Sequence, residues 1–268
     1  FLITYPLYTI IGFLLSIIVF VNYFKNKKFE SLVFYFFLFF AFCFPIIYVI
    51  ITKTNVYDDG RHLLFTYPAI VAVAAIAWDK AIELLKSNIY KIIVSALLIC
   101  FISEPVMWMF KNHQQEAFYF NPLIGGIDGA FKKYDIDYWG NSERAGVEWI
   151  HKNIPVDSMG KPIIVTTWYG SEMSIKYYLE KVPGYKFAWT NKFSNEWDYC
   201  ILLPAYWKFN QSLRDNWPPE GTVYQVMADN TPLCAIIKNN FTNFVDVALK
   251  KVETEPSADN FLQLGLVY

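Results

Sequence analysis

Two stretches, Ile3 to Phe24 and Ser31 to Thr52, carry no charged side chain. Each is long enough to cross roughly 30 Å of hydrocarbon as a helix. In lipid no water is available to the backbone, so a spanning segment must bond its own peptide groups, and a helix does so. Leu63 to Trp78 predicts a shorter third helix ending in Trp78, a residue suited to a membrane interface. Ile89 to Phe110 predicts a fourth, with Lys91 near one end and Glu104-Pro105 near the other. Pro6, Pro45 and Pro68 are compatible with membrane helices where neighbouring groups satisfy the freed carbonyls.

The composition changes after Phe110. The chain of 268 residues is 55% hydrophobic and 18% charged overall, but its charges, prolines and turn residues become mixed only from Lys111 onward. The expected fold class is an α-helical polytopic membrane block of four transmembrane helices, at 3–24, 31–52, 63–78 and 89–110. A small α/β or α+β extracytoplasmic domain follows. The expected domains are thus 1–110, the extracytoplasmic domain over 111–250, and a linker with the truncated first helix of a tetratricopeptide repeat over 251–268. A net charge of −1 supplies no basic footprint and argues against a nucleic-acid partner. The chain opens inside an apolar run, with neither an initiator methionine nor a basic leader, and this predicts a piece of a longer protein.

Lysines predict the orientation. Lys25, Lys27 and Lys28 follow the first run, and Lys80, Lys86 and Lys91 surround the connection after the third. The positive-inside rule assigns both connections to the cytoplasm. The connection between the second and third runs, and everything after the fourth, then lie outside.

That outer connection holds an island of charge, Asp58-Asp59-Gly60-Arg61-His62, immediately before the apolar Leu63. An arginine beside headgroups can hold a phosphate with two parallel hydrogen bonds. A carboxylate beside it could bind a metal or hold the arginine in place. The plainer alternative is interfacial snorkelling, with Asp58 or Asp59 at the positive end of the third helix. Glu104 lies near the outer end of the fourth run, where an unpaired carboxylate is costly. We expect Glu104 to orient Arg61; the alternative is that it reaches the headgroup layer beside Pro105.

In the second half, Pro162–Thr167 and Trp197–Leu203 read as strands, and Ser171–Glu180 and Trp207–Asn216 as helices. Val223–Ala228 and Leu233–Lys238 read as a hairpin joined by Asp229-Asn230-Thr231-Pro232. Asn141 or Ser142 is expected to cap a helix running through Asn153. Asp135 and Asp137 would share the solvated side of a strand. Cys200 and Cys234 fall on two predicted strands, either as buried thiols or, outside the cytoplasm, as a disulfide. His62, His113 and His151 are far apart and make no metal-ligand spacing. Gly125-Gly126 lacks the Lys-Ser/Thr that a phosphate loop requires. No independent catalytic site is legible in this half. At the tail, Phe261, Leu264, Gly265 and Tyr268 match the spacing of the first helix of a tetratricopeptide repeat, with Asp259 as its cap.

Three blocks carry a resemblance: Tyr57-Asp58-Asp59-Gly60-Arg61-His62-Leu63, Tyr119-Phe120-Asn121-Pro122-Leu123-Ile124-Gly125-Gly126, and Asp137-Tyr138-Trp139-Gly140-Asn141-Ser142. In this order after membrane helices, they make the chain resemble the C-terminal part of bacterial GT-C membrane glycosyltransferases, the group that includes protein-mannosyltransferase-like and aminoarabinose-transferase-like proteins. The resemblance covers roughly Ile3 to Asn153. It implies transfer of a sugar from a polyprenyl-phosphate donor lipid to an acceptor at the outer face of the bacterial plasma membrane. It implies a carboxylate base in an outer loop upstream of the matched region, so no catalytic base is named here. A divalent cation or a basic residue on the phosphate is implied too. Arg61 and His62 carry over as phosphate-side residues, with Asp58, Asp59 and Glu104 in support. The alternative is a non-catalytic, membrane-anchored binding or scaffold protein that recruits protein partners through its repeats.

Overall fold

A computed structural model describes residues 3–54, 61–137, 139–156, 160–190, 196–204, 211–240, 249–257 and 260–261, apart from the side chain of Arg61. The chain forms two compact units, Phe1–Gly129 and Ala130–Tyr268. The division falls later than the composition change at Phe110, because Asn121 bonds back to the start of the chain: its backbone N–H donates to the Ile3 carbonyl (2.9 Å) and its side-chain amide to the Tyr5 carbonyl (2.8 Å).

The first unit holds four long helices: α1 (Leu7–Lys25), α2 (Phe29–Thr52), α3 (Tyr67–Glu83) and α4 (Asn88–Lys111), with a 3-10 turn over Arg61–Thr66 leading into α3. All four are long and apolar enough to cross a membrane, the third when counted from His62. The third helix runs past the expected end at Trp78. Lys80 and Glu83 close it as an ion pair one turn apart, which keeps these charges inside helical geometry. Trp78 is not an interface anchor. It is 9% exposed, and its indole N–H donates to the Tyr8 carbonyl at 2.8 Å.

Small residues explain the close packing of α1 on α3. Thr9, Gly12, Ser16 and Val19 form the buried stripe of α1, facing the alanine-rich side of α3. A Cβ placed on Gly12 would lie 2.6 Å from the Cβ of Ala74. Small residues allow backbones to approach in this way, which is how helices associate where lipid removes the hydrophobic drive. One cluster joins Tyr5, Phe42, Ala69 and Ile70, and a second joins Val19, Tyr35, Val73 and Ala77. So α1 and α3 run parallel, with α2 antiparallel to both. By contrast, the spanning windows of α2 and α4 bury only 11% and 6% of their residues, leaving long apolar faces open.

The second unit is a small mixed α/β sheet domain. A short helix α5 (Gly126–Ala130) leads into it, followed by α6 (Asn141–Asn153), β1 (Ile163–Trp168), α7 (Glu172–Leu179), β2 (Tyr185–Phe187), β3 (Tyr199–Leu202), α8 (Gln211–Asp215), β4 (Thr222–Ala228) and β5 (Thr231–Lys238). The strand order is β2-β1-β3-β5-β4. β1 pairs parallel with β2 and β3, whereas β5 runs antiparallel to β3 and β4. Every residue of β5 except Lys238 is buried, as expected where both faces of a sheet are covered. The hairpin is tighter than the sequence suggests. Asp229 takes a left-handed φ of 50°, and Thr231 already pairs with Ala228.

Cys200 and Cys234 are free thiols. Cys200 belongs to the core on one face of the sheet with Trp197, Leu202 and Ile237, and Cys234 to the core on the other with Val147, Ile201 and Ile236. Residues 249–254 are helical. Asp259, Leu264, Gly265 and Tyr268, on which the repeat expectation rests, lie outside the described residues.

Candidate functional site

The two ends of the helical unit differ in chemistry. At one end Glu83 pairs with Lys80 and lies within electrostatic reach of Lys28 and Lys91. Both lysine-bearing connections therefore share this end.

The other end is polar and aromatic. Tyr5, 1% exposed, stacks at a tilt on Tyr67, with ring centroids 4.6 Å apart. Thr66, fully buried at the close of the 3-10 turn, donates its hydroxyl to the Leu63 carbonyl at 2.7 Å. Asn121, also fully buried, holds Tyr5 from the far side and accepts the Leu123 N–H at 3.1 Å on its own carboxamide oxygen. Two residues earlier, Tyr119 donates its hydroxyl to Glu104 Oε2 at 2.6 Å and sets its ring edge-on to Trp108. Burial, and then the bond to Glu104, push the Tyr119 hydroxyl far above the usual tyrosine range. It thus stays a proton donor at any physiological pH, and it fixes the direction of the Glu104 carboxylate.

Of the residues expected at this site, Asp58, Asp59 and the Arg61 side chain lie outside the described residues. The backbone of Arg61 opens the 3-10 turn, and His62 follows it with an exposed side chain. The partner found for Glu104 is Tyr119; the expected pairing with Arg61 falls on a side chain that is not described. A chain of contacts from Glu104 through Tyr119, Asn121 and Tyr5 to Tyr67 links α4 to the segment that carries Arg61. Tyr119 and Asn121 were not singled out as site residues. Their signal was present in the Tyr119-to-Gly126 block, but nothing local to it pointed at Glu104.

Beside the same 3-10 turn lies an apolar groove of about 540 Å³, lined by Phe37, Phe40, Phe44 and Pro45 of α2 together with Phe65. Phe36, Phe40 and Phe44 stack in series along α2.

The sheet unit holds a second polar cluster, around the start of α6. Asp137 is buried in a turn, contrary to the solvated strand expected for it. It caps α6 from upstream, accepting the N–H of Asn141 (2.6 Å), the N–H of Ser142 (3.0 Å) and the Ser142 hydroxyl. The cap is thus neither Asn141 nor Ser142, because Gly140 in a left-handed conformation turns the chain so that Asp137 meets the free N–H groups. One turn on, the fully buried Glu143 accepts the Ser171 N–H and so ties α6 to the turn between β1 and α7. Its carboxylate is wedged between Gly140 and Gly170; a Cβ on either glycine would come within 2.6 Å of it. Burial outweighs these hydrogen bonds and pushes Asp137 up to about 6 and Glu143 up to about 7. Among the described residues no group of three His, Cys, Asp or Glu side chains could hold a metal ion.

Comparison with protein-family models, with curated proteins and with solved structures gave no match.

Proposed function

We propose that this chain is the C-terminal part of a GT-C membrane glycosyltransferase that moves a sugar from a polyprenyl-phosphate donor to an acceptor outside the bacterial plasma membrane. The observation that carries the reading is the linked end of the helical unit. Tyr67, which follows the 3-10 turn opened by Arg61 and His62, is joined through Tyr5 and Asn121 to Tyr119 and Glu104, so the segment after the first block of the resemblance and the start of the second share this end. The excess of lysines at the opposite end, where Lys28, Lys80 and Lys91 surround Glu83, over the Lys53 and Lys111 of this end agrees with an outward-facing site. The phenylalanine-lined groove beside the turn suits an isoprenoid chain, leaving its phosphate at the level of Arg61.

In this reading Arg61 and His62 bind the donor phosphate. Glu104, oriented by Tyr119, supports the cationic side of the site. A divalent cation on the phosphate would involve the Asp58-Asp59 pair. No residue of this chain is assigned as the base. Repeats beginning near Phe261 would recruit protein partners.

The test is transfer from a radiolabelled polyprenyl-phosphate sugar by the gene's complete product, with Arg61→Ala in parallel. A charge contact that strengthens as the sugar–phosphate bond breaks acts mainly on the transition state. Arg61→Ala should lower turnover about a hundredfold, comparable with removing one oxyanion donor. Arg61→Lys keeps the charge but loses the planar fork, so it should recover only part of the loss. Transfer at the parent rate by an Arg61→Ala protein that accumulates normally in the membrane would reduce the arginine to an interface anchor.

A further inference from the structure

The carboxyl-terminal edge of the parallel strands in the sheet unit carries a large aromatic side chain that is exposed yet contacted by two neighbouring side chains. Trp189 follows β2 and is 59% exposed. Its indole N–H donates to Glu172 Oε2 at 2.6 Å, at the first turn of α7. The ring of the buried Phe187 meets it edge-on at 5.5 Å and 87°. Two contacts thus hold the ring in place while much of the indole remains open to solvent. Tyr169, 48% exposed, leaves the neighbouring strand β1 at the same edge with a left-handed φ of 64°. That conformation is uncommon for a bulky residue and clusters at binding sites. In open α/β sheets, ligands bind outside the carboxyl ends of the parallel strands.

We infer that Trp189, bonded to Glu172 at the strand edge that also carries Tyr169, is a stacking platform for a neutral hexopyranose ring of a glycan. The C–H face of a pyranose carries a slight positive charge and is drawn to the negative face of an indole. The bond to Glu172 orders the tryptophan before the ligand arrives, so less side-chain freedom is lost on binding. Remaining acceptor capacity on the Glu172 carboxylate offers a partner for sugar hydroxyls. A membrane interface is a poorer fit. An interfacial tryptophan keeps its polar end wet, whereas this N–H is already bonded to protein, and the adjacent Glu172 repels anionic headgroups. As an acceptor site the inference rests on the transferase reading, but the binding measurement is separate from transfer.

The experiment uses the whole chain in nanodiscs, titrated with mannotriose, maltotriose and N,N′,N″-triacetylchitotriose and followed by saturation-transfer NMR. At least one trisaccharide should bind saturably in the millimolar range. Trp189→Ala should weaken it about tenfold, the equivalent of one good aromatic contact. Trp189→Phe keeps a ring on Phe187 but loses the bond to Glu172, so it should bind better than Trp189→Ala and less well than wild type, which separates lost stacking from lost folding. Absence of saturable binding by all three sugars, or equal affinity in wild type and Trp189→Ala, would overturn the platform. Quenching of Trp189 by brominated lipids, read as the difference between wild type and Trp189→Phe, would overturn it in favour of a bilayer contact. Any of these results leaves the Arg61 transfer test standing.

Discussion

The hydroxyl of Tyr119 donates a 2.6 Å hydrogen bond to the carboxylate of Glu104, the one acidic side chain in the second half of α4. The bond gives a carboxylate near a helix end a protein partner. It also connects α4 to the segment where Phe120 is buried and Asn121 bonds to the start of the chain.

Removing that donor should cost stability. Tyr119→Phe leaves Glu104 without its hydroxyl partner and should lower unfolding free energy by about 1.5–3 kcal/mol, the range for hydrogen bonds to charged groups. Glu104→Gln retains an acceptor and should cost less. A double-mutant cycle on thermal melts in detergent should give a coupling of about 0.5–3 kcal/mol. Additive effects would mean that the two side chains do not interact.

Topology can be read chemically. In a background lacking the four native cysteines, single cysteines at Lys27 and Lys86 should label from the same side of the membrane, because both connections sit at the lysine end. A cysteine at Asn55 should label from the opposite side, with an impermeant reagent on intact cells, as the positive-inside rule predicts. Labelling of Lys27 and Asn55 from one side would contradict the order of crossings.

The buried acids of the sheet unit predict an unusual pH dependence. Asp137 and Glu143 are raised to about 6 and about 7 in the fold, from ordinary values of 3.8 and 4.5. Between the unfolded and folded values the native state binds more protons than the unfolded one, so stability falls as pH rises. Their contribution is fully present below about pH 4 and is lost by about pH 7. For Glu143 the loss is roughly 3 kcal/mol. Glu143→Gln keeps an acceptor for the Ser171 N–H and cannot ionise. It should flatten the decline and melt higher than wild type at pH 8, with little difference at pH 4.5, in circular-dichroism melts of the whole chain. A wild-type melting temperature that rises from pH 5 to pH 7 would reverse the sign.

The α1–α3 contact gives a steric prediction. Gly12→Val would drive a branched side chain into Ala74 and should cost about 1–3 kcal/mol, as overpacking does. Ala74→Gly in the same chain should restore part of the loss, because it removes the atom nearest the clash. Equal melting temperatures for Gly12→Val and wild type would mean that the helices part easily.

The four helices long and apolar enough to cross a membrane were legible in the residues from Ile3 to Phe110. A long uncharged run has few stable states in lipid, and local composition decides among them. The strand positions of the sheet unit were legible for a similar reason, except β2, where Tyr185–Phe187 is too short to show a period. Even within these elements, composition misjudged Trp78. Its indole N–H finds the Tyr8 carbonyl far back in the chain, and a partner at that range overrides the preference of tryptophan for an interface.

What only the tertiary structure decided are pairings between residues far apart in sequence. Asp137 alternates with Asp135 across an isoleucine, and that local pattern reads as a solvated strand. It is buried because Gly140 reverses the chain and presents the open N–H groups of α6. Cys200 and Cys234 both lie on strands, and which face each thiol takes follows from register: Cys200 sits opposite Ile237, and a step of three residues along β5 puts Cys234 on the other side. Tyr119 reaches Glu104 two residues before Asn121, which ties the same segment to the start of the chain at Ile3 and Tyr5. Hydropathy along the chain determines which segments leave water, whereas the partner of each buried polar group is set by which backbones approach closely enough to share a hydrogen bond.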